Sequence, residues 1–453
     1  MRSFLIIWFG QTVSALGTGL GSFALGVWIY EETGSATLFA IMAFVSVTTG
    51  LVFSPLAGTA ADRWDRRWVM MVTDAGAAAT TVIVAFALYT DRLEVWHVYL
   101  IVALRAGFSA FQAPALVASV SSLVPRDQLA RASGMSQIGG SAARIVAPIL
   151  AGALVMAIGY HGVILIDFAT FLTAAGTLLF VRIPRPAGGA EERDRGSVLR
   201  NLAFGWSYVR GRAGLLSLLV LFAVANVSLG MVQVLITPMI LGFSTPAGLG
   251  TVQSAAAAGA LLGGLALGVW GGPGRKVWGI FAFLLLDGFV LFLGGARPSV
   301  PLVAVAAALF LFGGSFINGL SQAIWQSKVA HALQGRVFAV RQMVALSTSP
   351  LAYLAAGPLA DRLFNPLLVP GGALAETVVG RIVGVGPERG VGLLFITLGA
   401  LLVVVTLVSY ANPRLRRVEE ELPDAGEEEP AAGGEEAAGQ SPKTSRSYSP
   451  RVS

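Results

Sequence analysis

The most informative part of this sequence is a charged stretch, Gly58-Thr-Ala-Ala-Asp62-Arg63-Trp-Asp-Arg66-Arg67, which lies between two apolar segments. Residues 33–61 carry no charge, and residues 68–90 carry only Asp74. A transmembrane helix needs about 20 consecutive apolar residues to cross about 30 Å of hydrocarbon. We therefore interpret the stretch as a short polar turn between two membrane spans.

The composition of the whole 453-residue chain agrees with a membrane protein. Hydrophobic residues make up 55% and charged residues 12%, and the mean hydropathy is +0.73. Soluble domains contain about 25% charged residues, so this composition argues against a water-soluble enzyme. Cysteine is absent and the three histidines are far apart, so we expect no thiolate nucleophile, no metal site and no cofactor.

The apolar segments predict twelve transmembrane helices, designated spans 1 to 12 in chain order. One segment, residues 213–274, is too long for a single helix, and the turn residues at 242–248 divide it into two spans. The apolar segments are 3–30, 33–61, 68–90, 98–124, 132–160, 162–181, 213–274, 277–296, 299–327, 342–360 and 391–413.

This pattern predicts an all-α membrane protein built from two halves of six helices. The predicted parts are an N-terminal half (1–181), a cytoplasmic linker (182–213), a C-terminal half (214–411) and a disordered acidic cytoplasmic tail (412–453). In the linker, Leu199, Leu202, Trp206 and Val209 share one helical face. They predict a short amphipathic helix on the inner membrane surface.

Positive charges between the spans predict the orientation. With the N-terminus inside, we assign 20 Lys and Arg residues to the inner side and 5 to the outer side. Cytoplasmic loops are enriched in these residues, so both termini are expected in the cytoplasm. The abundance of Arg, Ala and Gly favours a bacterial inner membrane, and the scattered arginines argue against a nucleic-acid partner.

Several features recur half a chain apart. The segment Gly271-Gly-Pro-Gly-Arg275-Lys276 repeats the paired basic residues of the charged stretch about 209 residues later. Spans 5 and 11 each contain an interior proline, Pro148 and Pro350. Internal repeats of this length are typical of secondary transporters. The sequence therefore predicts that the two six-helix halves are tandem repeats.

The charged stretch resembles motif A of the major facilitator superfamily, whose pattern is G-x-x-x-D-R/K-x-G-R/K-R/K. Asp65 stands where most members have glycine, which is similar to the branch of macrolide-efflux and enterobactin-exporter proteins. Residues 104–115 resemble span 4 of that branch, and Gly357-Pro-Leu-Ala-Asp-Arg362 repeats the motif A wording at the outer end of span 11. The resemblance covers about residues 1–411 and implies a drug/proton antiporter with the superfamily fold.

The resemblance also implies a gating role for Gly58, Asp62, Arg63, Arg66 and Arg67. A glycine at a helix end permits a close helix approach, and Asp62 is able to lie against the positive N-terminus of another helix. The arginines are able to bond acids or lipid phosphates. The loop would then latch the inner gate when the transporter opens outward. The alternative is an ordinary positively charged cytoplasmic loop.

Charged side chains within the spans are the candidates for proton coupling. A charge at the membrane centre costs about 2.5–3.5 kcal/mol on insertion scales, so it persists mainly where it is used or paired. Arg105 and Asp167 lie at similar depths, which permits an ion pair that a proton on Asp167 would release. Asp74 is expected within reach of Arg131 or of the charged stretch. For both aspartates the alternative is a structural role.

Two further charges belong to this group. Arg144 lies in a segment, residues 139–152, that resembles motif C, the antiporter signature of drug exporters. The alternative for this segment is close helix packing by small residues. Asp287 has no evident partner, which favours a structural role.

The superfamily architecture implies that spans 1, 4, 7 and 10 line a central cavity. Side chains with hydrogen-bonding or stacking capacity would suit a large, mostly apolar substrate, whereas helix–helix hydrogen bonding is the alternative for each amide. The cavity candidates are Gln11, Arg105, Gln112, Asn226, Gln233, Asn318, Gln322 and Trp325.

The favoured hypothesis is a secondary active transporter that exports a hydrophobic or amphipathic small molecule, such as an antibiotic, a siderophore or another metabolite. Protons are the expected coupling ion, by antiport with alternating access, and the protein is expected to act as a monomer in the lipid bilayer. An uptake permease or facilitator on the same fold is the main alternative. A membrane enzyme is disfavoured because no catalytic motif is present, and a receptor or scaffold is a minor alternative.

Overall fold

The computed structural model of the protein describes residues 1–181 and 198–421; the side chains of Asp62, Arg63 and a few other residues lie outside the description. All regular secondary structure in these two ranges is helical. The linker residues 182–197 and the tail residues 422–453, for which the sequence makes predictions, lie outside the described residues.

The N-terminal half contains five long helices, of which the last holds two spans. They are α1 (Arg2–Thr33), α2 (Ala36–Arg63), α3 (Arg66–Tyr89), α4 (Val95–Leu123) and α5 (Leu129–Phe180). At about 1.5 Å per residue, α5 would be roughly 80 Å long, more than twice the thickness of the hydrocarbon. The helix is broken at Gly159, whose backbone is non-helical with φ 68° and ψ 179°. The two segments of α5 are therefore spans 5 and 6.

A short connecting helix and the C-terminal half follow. They comprise α6 (Val198–Arg210), α7 (Ala213–Leu241), α8 (Pro246–Trp270), α9 (Lys276–Ala296), α10 (Val300–Lys328), α11 (His331–Pro358), α12 (Asn365–Leu368), α13 (Val378–Val383), α14 (Arg389–Ala411), α15 (Pro413–Arg416) and α16 (Val418–Glu421). In the described ranges, 11 helical stretches are long and apolar enough to cross a membrane. Because α5 counts twice, the predicted twelve-helix fold is confirmed.

The spans alternate in direction, so their connections lie at two ends of the bundle. We name them the Met1 end, which also holds the turn between α2 and α3, and the far end, which holds residues 365–388. A single buried cluster at the far end includes residues of both halves, among them Ala40 and Ala356. Towards the Met1 end the buried clusters are separate, and each belongs to one half. Among the residues that the structure describes, the halves therefore share a buried core at the far end.

Span 11 is longer than predicted. The sequence placed it at 342–360, whereas the chain is helical from His331 to Leu368, through α11, a π-helical turn at Leu359–Phe364 and α12. The predicted span begins after Arg341 because charged residues delimit the apolar segments in the sequence. In the structure, Arg341 is hydrogen-bonded to Gln322 inside the bundle, so the helix continues past it.

The linker helix α6 buries a different face from the predicted one. Gly205 and Val209 are buried, and Gly205 lies against the backbone of Arg336 at the start of α11. Trp206, which the sequence placed on the buried face, is 44% exposed. The glycine decides the contact because it allows the helices to approach more closely than a tryptophan would.

The tail begins later than predicted, because residues 412–421 are helical and packed. Leu415 and Val418 are fully buried. The carboxylate of Glu419 accepts hydrogen bonds from the backbone N–H groups of Lys276 and Val277 at 3.1 and 2.9 Å. It thereby satisfies N–H groups at the start of α9 that have no partner within the helix.

Candidate transport site

The two halves meet at the far end in a seam between α2 and α11. Gly357 of α11 lies against Thr37 and Ala40 of α2, and a Cβ atom at Gly357 would collide with the Thr37 backbone. The Asp361 carboxylate accepts hydrogen bonds from the backbone N–H groups of Ala36 (3.2 Å) and Thr37 (2.8 Å). A carboxylate of the C-terminal half therefore caps the first turn of a helix in the N-terminal half.

Two further contacts join the halves beside this seam. The Ser35 hydroxyl, which is the N-cap of α2, donates to Asp361 at 2.8 Å. Tyr30 of α1 is hydrogen-bonded to Glu388, which also accepts from the Asn365 amide at 2.9 Å. Burial raises the pKa of Glu388; the nearby Asp361 adds to this, and the bonds from Asn365 and Tyr30 oppose it.

The same two helices are apart at the Met1 end. Gly58 lies 18 residues after Ala40, which is five helical turns, so both residues are on one face of α2. Ala40 is 1% exposed, whereas a Cβ atom at Gly58 would have no neighbour within 4 Å. On α11, Leu346 and Met343 continue the face of Gly357 and are 40% and 48% exposed. The seam is closed at the far end and open at the Met1 end.

The motif A arginines bond within their own half. Arg66 donates to the Ala118 carbonyl at 2.7 Å and to the Ser122 hydroxyl at 2.5 Å. Arg67 donates to the carbonyls of Leu178 and Leu179 at 3.0 Å each. These bonds hold the turn against α4 and α5. The gating roles expected for Asp62 and Arg63 are not tested, because their side chains are not among those that the structure describes.

The unusual aspartate of motif A has a structural explanation. Asp65 is the N-cap of α3, and its carboxylate accepts a hydrogen bond from the Arg67 backbone N–H at 2.9 Å. A side-chain oxygen at this position satisfies an amide at the start of the helix, which glycine cannot do.

Arg105 and Asp167 form an ion pair inside the N-terminal half. The distance from Arg105 Nη2 to Asp167 Oδ2 is 2.8 Å, and the side chains are 10% and 0% exposed. Arg105 also donates to Thr80 (3.2 Å) and Thr81 (2.5 Å) of α3. Gly21 of α1 faces the same carboxylate, and any side chain there would displace it. The pair thus joins α4, α3 and α5 beside α1.

Asp74 has different partners from those expected. Its carboxylate accepts from the side-chain amides of Gln112 (2.5 Å) and Gln11 (3.2 Å), not from Arg131 or the motif A arginines. The Gln112 amide also donates to the Gln11 carbonyl at 3.0 Å. The three side chains form a closed cluster of α1, α3 and α4, and Asp74 is 1% exposed. Neutral amides satisfy the carboxylate because α3 turns Asp74 towards α1 and α4.

Arg144 and Asp287 lie apart from these clusters. Arg144 is exposed on α5, and the described residues give it no bond to Asp74, Asp167 or Asp287. Asp287 is 4% exposed, and its Oδ1 atom has no hydrogen-bond partner among the described residues. The structure therefore does not bring all coupling candidates into one site.

The cavity candidates separate into distinct places. Asn226, Asn318, Gln322 and Trp325 line one cavity of about 310 Å³ in the C-terminal half. Gln11 and Gln112 belong to the Asp74 cluster, and Arg105 belongs to its ion pair. Gln233 accepts a hydrogen bond from the Tyr353 hydroxyl at 3.2 Å and faces a separate, mostly apolar cavity of about 90 Å³.

Sequence reasoning missed Arg341, which lines the same cavity as Asn226 and Asn318. It donates to Gln322 at 2.6 Å and lies 5.7 Å from the centre of the Trp325 ring. The cavity candidates proposed from the sequence include Arg105 but not Arg341. Extending the helical period of span 11 towards its N-terminus would have placed Arg341 in the helix.

Two six-helix halves that enclose cavities and join at one end of the bundle define a multi-pass membrane transporter, not an enzyme. The family model described as Major Facilitator Superfamily matches residues 7–353, and the chain belongs to this superfamily.

Named efflux proteins are similar to the chain in sequence. Macrolide efflux protein A of Streptococcus pyogenes is 28% identical over 364 residues, which cover 80% of this chain and 90% of that protein. The multidrug efflux pump Tap of Mycobacterium bovis (strain BCG / Pasteur 1173P2) is 28% identical over 374 residues, which cover 79% and 87%.

Solved structures share the fold at low sequence identity. The nucleoside transporter NupG has a TM-score of 0.68 at 12% identity, with 91% of this chain and 100% of that chain covered. A bacterial homolog of the human lysosomal transporter Spinster has a TM-score of 0.65 at 15% identity, with 90% and 95% covered.

Proposed function

We propose that the protein exports a hydrophobic or amphipathic small molecule across the bacterial inner membrane, by alternating access coupled to proton antiport. The observation that carries this proposal is the α2–α11 seam, which is closed at the far end and open at the Met1 end. The excess of positive charge at the Met1 end supports a cytoplasmic location for that end. The described conformation would then accept substrate from the cytoplasm.

The opposite state follows from the repeated sequence of the two helices. Gly58-Thr-Ala-Ala-Asp62-Arg63 ends α2, and Gly357-Pro-Leu-Ala-Asp361-Arg362 stands near the end of the α11 helical run. Gly357 packs on Ala40, the fifth residue after the N-cap Ser35. The fifth residue after the N-cap of α11 is Gly335. We infer that Gly58 packs on Gly335, and Asp62 caps α11, when the Met1 end closes.

Proton coupling is assigned to the Arg105–Asp167 pair. A proton on Asp167 would remove the charge that holds Arg105 against α5, and the freed guanidinium would retain only its hydroxyl partners on α3. Buried pairs of this kind are expensive to break while both groups remain charged. Protonation from the outer side would therefore favour rearrangement of α4, which carries both Arg105 and Gln112.

The direction and the substrate class are supported by the relatives that are named for macrolide or multidrug efflux. At 28% identity they favour export of a drug-like molecule over uptake. Uptake remains the alternative that the following experiment separates. Siderophore export has no support beyond the resemblance of motif A.

The test uses everted membrane vesicles whose lumen is acidified by respiration. Export by proton antiport would appear as uptake of labelled erythromycin into these vesicles, abolished by an uncoupler and absent from vesicles without the protein. Erythromycin addition would also release luminal protons. A facilitator would accumulate the drug no further than the pH gradient concentrates a weak base at equilibrium, and a proton-symport permease would instead load right-side-out vesicles.

Orientation is tested with single cysteines, because the natural sequence contains none. Cysteines at Ser207 and Val378 should react with a membrane-impermeant maleimide from the cytoplasmic and the outer side, respectively. The reverse pattern would contradict the proposed topology and the export direction together.

A further inference from the structure

The polar cavity of the C-terminal half contains a guanidinium without an acidic partner. The cavity lies between α7, α10 and α11 and measures about 310 Å³; we name it the Arg341 cavity. Its polar lining is Asn226, Asn318, Gln322, Arg341 and Gln342, and Phe222 forms part of its apolar wall.

The hydrogen bonds of Arg341 go to neutral groups. Nη1 donates to Gln322 at 2.6 Å, and Nη2 donates to the Ser321 hydroxyl at 3.4 Å. No carboxylate of the described residues forms an ion pair with Arg341. A guanidinium has five N–H donors in a planar fork, so several donors remain for a ligand. Charges in spans are costly and persist mainly where they serve a ligand or a partner.

The rest of the cavity fits a ligand with one polar end and an apolar body. The Asn226 side chain has no hydrogen-bond partner among the described residues, so its amide is free to bind a ligand. Phe222, Leu219 and Phe338 provide apolar and aromatic surface in the same cavity. Trp325, 1% exposed, forms the wall behind the guanidinium.

A second cavity extends the first and contains a buried carboxyl group. It measures about 390 Å³, shares Phe222, Asn226 and Asn318 with the Arg341 cavity, and is lined by Asp287. The Asp287 carboxyl is buried, with one oxygen lacking a described partner, and it lies against Gly313. The described residues on this side offer no cation to an anionic group, so the guanidinium places the anionic end of a ligand at Arg341.

We propose that the Arg341 cavity binds the anionic oxygen group of an amphipathic substrate, with Arg341 as the recognising cation and Asn226 as a second donor. This inference rests on the proposed export function and, within its substrate class, favours amphiphiles that carry a carboxylate or a similar anion over neutral analogues of the same shape, without excluding the drug-like molecule of the transport test. The apolar body lies against Phe222 and Phe338. Arg341 thereby selects substrates by charge, a role that Lys would retain only in part because it lacks the planar fork.

The test measures binding to the purified full-length protein with two matched probes, 11-(dansylamino)undecanoic acid and its methyl ester. Fluorescence titration, with protein-free micelles subtracted, gives the two dissociation constants. The wild-type protein should bind the acid at least tenfold more tightly than the ester. Arg341→Gln should remove this preference by weakening the acid alone, and Arg341→Lys should retain part of it.

Arg336→Gln is the matched control, because Arg336 is an exposed arginine on the same helix that lies over the Phe204 ring, outside the cavity. It should bind both probes like the wild type. Equal binding of acid and ester by the wild type, or an unchanged preference in Arg341→Gln, would overturn the proposal. If Arg341→Gln does not fold, the wild-type comparison and Arg341→Lys still decide the matter.

The binding assay needs no ion gradient, so its outcome is separable from the transport experiment. If the wild-type protein shows no preference for the acid but still exports in response to a proton gradient, the binding-site proposal is refuted and the export proposal stands. A preserved preference without proton-driven transport would retain the site and remove the exporter assignment.

Discussion

Asp361 accepts a hydrogen bond from the backbone N–H of Thr37 at 2.8 Å, across the boundary between the two halves. The carboxylate stands at the N-terminus of α2, where the helix leaves its first N–H groups without internal partners and presents partial positive charge. One residue of the C-terminal half thereby stabilises a helix of the N-terminal half in the closed far end. The bond is lost when the halves separate there, so Asp361 affects the conformational equilibrium more than folding.

Asp361→Asn should shift the protein towards the form with an open far end. The amide keeps the shape of the carboxylate, but it has no negative charge and turns an NH₂ group towards one of the backbone donors. Loss of a helix cap costs about 0.5–2 kcal/mol, which is roughly a two- to thirty-fold change in the equilibrium. Spin labels on cysteines at Tyr89 and Val378, which are 82% and 64% exposed, would report the far-end separation.

The control for this experiment is Asp91→Asn, since Asp91 is an exposed far-end aspartate in the turn after α3. It should leave the distance distribution unchanged. An unchanged distribution in Asp361→Asn would show that the cap does not contribute to closure.

Gly357→Ala should have a stronger effect on the same distances. The added Cβ atom would collide with the Thr37 backbone, which cannot move without shifting α2, whereas a Cβ at Gly58 meets open space. Gly58→Ala is therefore the matched variant and should keep the far end closed. If the Met1 end closes on Gly58, this variant should also prevent closure between labels at Val117 and Val269. Equal effects of both variants at the far end would contradict the seam geometry.

Glu388 should make far-end closure depend on pH. Burial raises its pKa in the closed form, and in the open form water would return the pKa towards its ordinary range. The closed form therefore binds the proton more tightly than the open form. Protonation of Glu388 stabilises the closed form at low pH, and this stabilisation is lost as the pH rises through the raised pKa of Glu388. Tyr30, Asn365 and Asp361 face the carboxyl, and Arg389 bonds backbone carbonyls instead.

The distance distribution between spin labels at Tyr89 and Val378 should therefore shift towards the open far end as the pH rises from about 5 to 9. Glu388→Gln, which resembles the protonated group, should remain closed at high pH, and the exposed Glu376→Gln should behave like the wild type. A wild-type pH profile in Glu388→Gln would assign the dependence to another group.

The fold could be predicted from the sequence because lipid imposes a simple rule on length and polarity. Apolar segments with at most one charge predicted the spans. The predicted boundary between spans 5 and 6 fell at His161, two residues after the break at Gly159. The Arg105–Asp167 ion pair could also be predicted from the sequence, because two opposite charges at a similar depth in the same half are able to pair.

The partners of Asp74 and the place of Arg341 could not be predicted in this way. Depth along a helix is readable from sequence, whereas the direction in which a side chain points depends on the rotation of each helix. Asp74 bonds Gln11 and Gln112 because α3, which packs on α4, presents this side chain towards α1 as well. The similarity of Gly357–Arg362 to motif A could be recognised in the sequence. The contact of this segment with α2 could not, because it depends on how the two halves pack against each other.

Asp62→Asn should reduce transport sharply while leaving the protein in the membrane. If Asp62 caps α11 in the state with a closed Met1 end, its loss disfavours that state, and the cycle would stall with the Met1 end open. Drug uptake into everted vesicles measures transport, and immunoblotting of the membranes measures abundance. Asp127→Asn, in the next turn at the same end, is the control. Wild-type transport by Asp62→Asn at wild-type abundance would refute the gating role.

Removal of the Arg105–Asp167 pair should separate transport from its driving force. Asp167→Asn alone leaves a buried guanidinium without its counter-ion, which typically costs about 3–5 kcal/mol, so low abundance is expected. The double variant Arg105→Gln/Asp167→Asn removes both charges and should restore abundance. It should still exchange labelled for unlabelled erythromycin across vesicles, because alternating access remains, but it should no longer accumulate the drug in response to a pH gradient.

Asp74→Asn and Asp287→Asn are the matched single-charge controls and should retain pH-driven accumulation. Accumulation by the double variant with the wild-type dependence on pH would move the coupling to another carboxylate, and its loss in Asp74→Asn alone would move it to the glutamine-bound cluster.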